Sequence, residues 1–242
     1  MKTEPFVFLE NEEWALLVKP HDLPSAPLAE NDSETLLGWY LEKKESARDV
    51  IGRKAIEHGL IHRLDTGTSG FVLVAKTQKS YEKLITSQKD GCIKKTYLAT
   101  CSLPQTAEFS SLENLPMHVT SRFRAFGPGR REVRPLFPGM RGYIDAATDY
   151  ETIIEKIMLS ENNSCKITCS LARGYRHQVR AHLAYLGFPI FGDRLYNPLW
   201  KNTEENAQDI PLQLFARGIS FPDPETGLQV SFSLPQQDKM NR

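Results

Sequence analysis

Apolar positions along the chain fall into short runs separated by Gly, Pro and polar clusters, a pattern of many brief elements rather than long helices. Trp14-Ala-Leu-Leu-Val-Lys19 predicts a buried strand, stopped by Pro20 and followed by a Pro-rich turn through Pro24 and Pro27. Ser33 is placed as an N-cap, with Leu36, Leu37 and Tyr40 forming one face of a helix that reaches about Arg48. Phe71-Val-Leu-Val-Ala75 has the length of a strand and follows a Gly/Thr/Ser turn. Ser80 then caps a short amphipathic helix with Leu84 and Ile85 inward, ended by Gly91, and Thr96 to Cys101 is another strand. Residues 103–145 are broken by Pro and Gly, and any strands there are weakly signalled. Alternation returns in Lys166-Ile-Thr-Cys-Ser-Leu171, with Ile167, Cys169 and Leu171 on one face. A helix from His177 to Leu186 turns Val179, Leu183 and Leu186 to one side and stops at Gly187 and Pro189. After a polar connection at 197–211, Leu214–Ala216 and Gln229–Leu234 close the chain as strands. Interleaving of this kind predicts a single α+β or α/β body over residues 1–242.

Composition narrows the class without deciding it. The chain has 242 residues, 40% apolar and 25% charged, so it can bury a sizeable core and is not a disordered chain. No apolar run approaches the roughly 18 residues a membrane helix needs, so no membrane partner is expected. The acidic N-terminal stretch lacks the order of a signal peptide, and four cysteines without a C-x-x-C pair fit a reducing cytosol, so the expected location is cytoplasmic. Thirty basic residues against 30 acidic ones give zero net charge, which argues at first against nucleic acid. The charge is segregated, however. Blocks 52–100, 120–145 and 165–201 sum to +14, and the remainder to −14. A polyanion responds to the face it meets rather than to the net charge.

The positive blocks also hold the residues suited to chemistry. In His62-Arg-Leu-Asp-Thr-Gly-Thr-Ser-Gly70, Asp65 lies in a polar turn where backbone N–H groups and hydroxyls can orient a carboxylate; an ordinary Asx-turn has the same composition. In Ala172-Arg-Gly-Tyr-Arg-His-Gln-Val-Arg-Ala-His182, Arg173, Arg176, Arg180, His177 and His182 crowd around a Gly turn that leads into a helix. Arginines there oppose the helix dipole, so a nearby anion, either a phosphate or a buried carboxylate, is expected. Arg176 and Arg180 share a helix face if the helix has begun by Arg176. Lys94-Lys-Thr-Tyr97 opens a strand and is uninformative alone.

In this order the pieces resemble the RluA-type RNA pseudouridine synthases. The family's His-Arg-Leu-Asp followed by Thr-Ser-Gly is matched by His62 to Asp65 and Thr68 to Gly70, and its Lys-x-Tyr-x-Ala by Lys95, Tyr97 and Ala99. Gly-Arg-Thr-His-Gln-Ile-Arg-Val-His is answered by Gly174 to His182, and Leu-Gly-x-Pro-Ile-x-Gly-Asp-x-x-Tyr by Leu186 to Tyr196. Val18-Lys-Pro20 and Phe221 to Gly227 are weaker echoes, so the likeness runs from about residue 6 to 235. One departure stands out: the usual Arg-Thr is Tyr175-Arg176. Because the pattern begins within the first ten residues, an N-terminal S4 RNA-binding domain, common in the family, is not expected.

The resemblance implies an α+β pseudouridine synthase fold, with a mixed, largely antiparallel sheet flanked by helices and loops and a basic active-site cleft. It implies an isomerase that needs no cofactor or metal and acts on a flipped-out uridine of a structured RNA, an rRNA or a tRNA. Asp65 is the implied nucleophile or base, Arg180 its cationic partner and Tyr97 the aromatic stacked on the uracil. Arg63, His62, Arg173, Arg176 and His177 are the implied RNA contacts. No obligate protein partner is evident, and a monomer is the simplest expectation. The main alternative is a non-catalytic RNA-binding or RNA-folding protein on the same scaffold. A metal hydrolase is disfavoured, because His58 and His62 enclose Gly59 and no H-E-x-x-H arrangement is present.

Overall fold

A computed structural model describes residues 4–29, 32–103, 115–144, 148–160, 163–200 and 210–235. The chain forms two compact units, one of residues 1–95 and 215–242, the other of residues 96–214.

In the first unit the sheet runs β1 (Phe6–Glu10), β2 (Trp14–Lys19), β3 (Ser69–Ala75), then the strand Leu214–Pro222, on which Gln229–Ser233 folds back. Strands β2 and β3 pair antiparallel from Trp14↔Ala75 to Lys19↔Gly70 and are buried on both faces. This explains why they read as continuous apolar runs rather than as alternation. Trp14, Phe71, Leu73, Phe215, Ile219 and Phe221 centre one core, with Trp14 edge-on to Phe221 at 5.1 Å. The Trp14 indole donates to Asp223 Oδ2 at 2.8 Å, and Asp223 Oδ1 accepts from the N–H groups of Glu225 and Thr226. The Phe221–Gly227 echo is thus a turn pinned by one aspartate.

Helix α1 (Leu36–Lys43) is capped by Thr35, not Ser33: Thr35 Oγ1 accepts from Gly38 N–H at 3.0 Å, while the Ser33 carbonyl is taken by Thr35 N–H. A separate 3₁₀ turn at Glu45–Asp49 replaces the expected last turn of that helix. Helix α2 (Gln78–Lys89) is capped by Thr77 rather than Ser80, whose N–H donates to Thr77 Oγ1 at 3.1 Å. Leu84 and Ile85 are buried as expected, and Gly91 follows the helix with φ +77°.

In the second unit β4 (Lys94–Ser102, its first two residues belonging to the first unit) neighbours β8 (Ser164–Leu171), followed in order by β7 (Tyr150–Ser160), β5 (Met117–Phe126) and β6 (Glu132–Leu136). Leu214–Pro222 and Gln229–Ser233 are β9 and β10 in chain order. Strand β5 changes partner midway: Met117–Ser121 pair with β7, and Arg122–Phe126 with β6. Helix α3 (Gln178–Tyr185) lies against β6 and β7. It begins two residues after Arg176, so Arg176 and Arg180 do not share a helix face. His177 takes the N-cap position with φ +56°, which turns the chain before the helix starts. Most of the polar connection at 197–211 lies outside the described residues.

Candidate active site

In the first unit the motif loop is the tip of a hairpin-like excursion from β3. Residues 59–62 run antiparallel beside β3: Leu60 bridges Val74, Ile61 N–H donates to the Leu73 carbonyl at 3.0 Å, and Ala75 N–H donates to that of Gly59 at 2.8 Å. At the next step the His62 ring takes over from the backbone, and Leu73 N–H donates to its Nε2 at 3.3 Å. The chain then turns through Asp65, whose carbonyl accepts from Thr68 N–H at 3.0 Å, and re-enters β3. The Thr-Ser-Gly glycine has a steric cause. Gly70 has φ +119° and pairs in parallel with Ala216, and a Cβ there would sit 2.2 Å from the Ala216 carbonyl oxygen.

Two side chains, one at the end of β2 and one in the Pro-rich turn after it, fix the backbone around Asp65. Ser25 Oγ donates to the Leu64 carbonyl at 2.8 Å and accepts from Leu64 N–H at 3.0 Å. Lys19, at the end of β2, is 0% exposed, and its ammonium donates to the carbonyls of Pro20, Leu23 and Thr66 at 2.9, 2.6 and 2.9 Å. All three of its protons are thereby satisfied. Burial pulls Lys19 down to about 7 despite the opposing charges of Asp65 and Asp22. Asp65 itself is half-buried. Arg63 is exposed and paired with Glu57 at 3.0 Å, and His62 is buried.

In the second unit Tyr97 is buried on the inward face of β4. Arg180, 8% exposed, donates through Nε and Nη2 to the two carboxylate oxygens of Asp193 at 2.8 and 2.9 Å. Asp193, 1% exposed, also accepts from the N–H groups of Leu195 and Tyr196. The guanidinium lies 5.2 Å from the centre of the Tyr196 ring. The Tyr196 hydroxyl accepts from Val133 N–H at 2.8 Å and is hydrogen-bonded to His177 Nδ1 at 3.0 Å. Gly192 precedes Asp193 with φ +72°, and a Cβ there would lie 2.4 Å from the Pro211 carbonyl oxygen. The Gly-Asp-x-x-Tyr motif is thus a mount for Arg180.

Helix α3 is anchored by its other polar residues. Gln178 donates to the Glu151 carbonyl at 2.8 Å, and its own carbonyl accepts from Tyr175 N–H at 2.9 Å. His182 is buried between Ser121 Oγ and Thr152 Oγ1, both at 2.8 Å, and burial lowers it to about 4. The Tyr175-Arg176 departure also has a local role. Tyr175 stacks on Phe123 of β5 at 5.1 Å and 7°, and Arg176 donates to the carbonyls of Arg130 and Glu132 at 2.5 and 3.4 Å. Arg173 is exposed and near enough to Tyr150 for its charge to act there.

Each unit therefore carries part of the expected set: Asp65, His62 and Arg63 in the first, Tyr97, Arg173, Arg176, His177 and Arg180 in the second. Sequence reasoning missed Lys19, Ser25 and Asp193 as site-building residues. The signals were a lysine ending an otherwise apolar strand directly before proline, and an aspartate within a motif quoted whole.

Comparison with known proteins bears on the family and the fold. Residues 13–185 match the family model described as RNA pseudouridylate synthase. An uncharacterized RNA pseudouridine synthase of Helicobacter pylori is 29% identical over 229 residues, covering 95% of this chain and 65% of that protein. The ribosomal large subunit pseudouridine synthase D of Zymomonas mobilis is 28% identical, covering 95% of this chain and 69% of its own length. The chain thus spans about two thirds of these relatives. Among solved structures, human RNA pseudouridylate synthase domain containing 1 superposes with a TM-score of 0.69 at 18% identity, over 97% of this chain and 84% of that one, so the fold is shared. The α+β fold is that of the solved pseudouridylate synthase domain, and the family model covers most of the chain. The chain belongs to the RNA pseudouridylate synthase family.

Proposed function

We propose that the protein isomerises uridine to pseudouridine in a structured RNA, with Asp65 as the carboxylate acting on the ribose. The observation that carries this reading is the construction of the Asp65 turn. Lys19, Ser25 and Gly70 hold its backbone from three directions, while the carboxylate-bearing residue is only half-buried. A rigid mount around one reactive carboxylate is what covalent or proton-transfer catalysis at a sugar requires.

In this reading the target uridine leaves its stack, and Asp65 attacks C1′ or removes the C2′ proton. The N1–C1′ bond breaks, and the same uracil rejoins through C5. Arg180 is the cation that keeps Asp65 ionised, and Tyr97 stacks on the base. Arg63, Arg173 and His177 contact the RNA. The name of the Zymomonas relative favours ribosomal RNA among the structured RNAs considered. Cytoplasmic location and a monomeric state complete the proposal.

The test is a transcriptome-wide map of pseudouridine in a strain lacking the gene, repeated after complementation with wild type and with Asp65→Asn. Wild type restores one or more sites and Asp65→Asn restores none, while its RNA affinity stays within about threefold. If wild-type protein adds no pseudouridine yet binds RNA, it is an RNA-binding or RNA-folding protein instead.

A further inference from the structure

Lys95 opens the inward face of β4, where Lys95, Tyr97, Ala99 and Cys101 are all buried in alternation. It is 4% exposed, and burial, with no carboxylate beside it among the described residues, lowers its pKa to about 8. Its charge reaches the ring of His62. The Nε2 of His62 accepts from Leu73 N–H, which leaves the ring proton on Nδ1, and that buried nitrogen has no partner among the described residues. Burial and the Lys95 charge hold His62 down at about 3, so the ring is neutral and Nδ1 is a donor. A buried N–H donor without an acceptor is costly to maintain, and one that lies within reach of the charge of a largely buried lysine marks a site where a ligand can supply the acceptor.

Their places in the chain indicate which ligand. His62 is three residues before Asp65, and Lys95 is one strand repeat from Tyr97. We propose that Lys95, with His62 Nδ1–H, binds a carbonyl oxygen of the target uracil and stabilises the base as it leaves the ribose. This rests on the pseudouridine synthase reading. When the C1′–N1 bond breaks, its electron pair goes to N1 and the negative charge spreads onto the carbonyl oxygens. Attack through C5 then consumes that charge, C5 loses its proton and N1 gains one, so no outside oxidant or reductant is needed. A cation in a water-poor site is worth most where charge develops. Arg180 and Asp65 act at the sugar; Lys95 acts at the leaving base. Lys95 titrates near 8, lowered by burial, with no carboxylate contributing; neutral His62 is the titratable group its charge reaches.

The experiment uses the site mapped above, transcribed as a short RNA, with enzyme in excess so that a single turnover is followed. Wild type must first form pseudouridine on this RNA; if it does not, the family activity fails and Lys95 is not at issue. Lys95→Met is expected to keep RNA affinity within about threefold and to melt at or above the wild-type temperature, since a buried charge with no carboxylate beside it is gone. Its single-turnover rate is expected to fall on the order of 10²-fold. With the target replaced by 5-fluorouridine, whose base is a better leaving group but whose C5 has no proton to lose, cleavage of the N1–C1′ bond is followed instead of pseudouridine formation, and the defect in that step should shrink at least fivefold. A wild-type rate in the folded variant overturns the proposal, as does weakened RNA binding with the rate intact, which would make Lys95 a phosphate contact. Should Lys95→Met not fold, the wild-type pH profile decides. The rate must decline above about pH 8 with affinity unchanged, and a rate constant flat to pH 10 overturns it.

Discussion

At the residue scale, the site is built from buried polar groups whose partners are backbone as often as side chain. Lys19 is held by carbonyls, Asp193 by two backbone N–H groups beside its arginine, and His182 by two hydroxyls. For these three residues the choice fixes loops and a helix while each buried polar group keeps its hydrogen-bond partners. It also makes the fold acid-sensitive. His62 and His182 are lowered to about 3 and 4, so between about pH 6.5 and 4 the unfolded chain takes up protons that the folded one refuses. Stability contributed by their neutral forms is complete above pH 6.5 and is lost as pH falls, by about 1.4 kcal/mol per histidine per pH unit. Urea unfolding of wild type at pH 7 and pH 5.5 should show this drop, and His182→Gln should lose about half of it. An unchanged slope in the variant would assign the acid sensitivity elsewhere.

At the element scale, what was legible in the sequence follows from how simply each element is buried. Strand β2 is buried on both faces and was readable to the residue. Strand β8, with Cys165, Ile167, Cys169 and Leu171 inward, was readable by alternation. Strand β7 was not. Its pairing with β8 shifts between Ile154 and Lys156, and the bulge breaks the period of two just where charged residues interrupt the apolar ones. Both helix caps were displaced from serine to a nearby threonine because more than one hydroxyl competes there, and only tertiary packing decides. Asp65 and Gly70 were identifiable from their motif, yet the reason for Gly70 and the other supports were not, since Gly70 meets Lys19 and Ala216 through strand register and Ser25 reaches Leu64 from a loop. That register makes Gly70 the sharpest test of the element. Gly70→Ala puts a methyl group 2.2 Å from the Ala216 carbonyl oxygen and keeps φ at +119°, so β3 and β9 must part at the foot of the Asp65 turn. The expected cost is on the order of 3 kcal/mol. Thermal melting of the purified variant should show it, together with loss of pseudouridine formation out of proportion to RNA binding. A wild-type melting temperature would mean that the β3–β9 pairing is not needed to hold the turn.

At the scale of the whole molecule, zero net charge hides a division that the hairpin β5–β6 makes concrete. Its odd-numbered residues, Phe123, Val133 and Pro135 among them, include the stack on Tyr175 and a fully buried valine. Its even-numbered residues carry Arg122, Arg124 and Arg134 on the opposite face. Arg122 is paired with Asp149, but Arg124 and Arg134 stand directly across the ladder from each other, and among the described residues neither has a carboxylate partner. Arg134 lies over the Phe126 ring at 3.3 Å, which orients it without neutralising it. Like charges facing across strands cost stability, on the order of a few tenths of a kcal/mol, unless an anion joins them. If the hairpin meets RNA, as the proposed function predicts, backbone phosphate is that anion. Arg124→Gln should therefore leave the protein as stable or slightly more stable, while weakening RNA binding uniformly across sequences. It should also lower the slope of log affinity against log salt by about one, and the double variant with Arg134→Gln by about two. Filter binding of the same RNA between 50 and 200 mM salt (roughly the range where such slopes are measured) reads this directly. An unchanged slope would move phosphate binding off this hairpin and onto the other positive segments, 52–100 and 165–201. The expected result would show that a chain with no net charge can engage a polyanion through a few arginines that have no acid beside them.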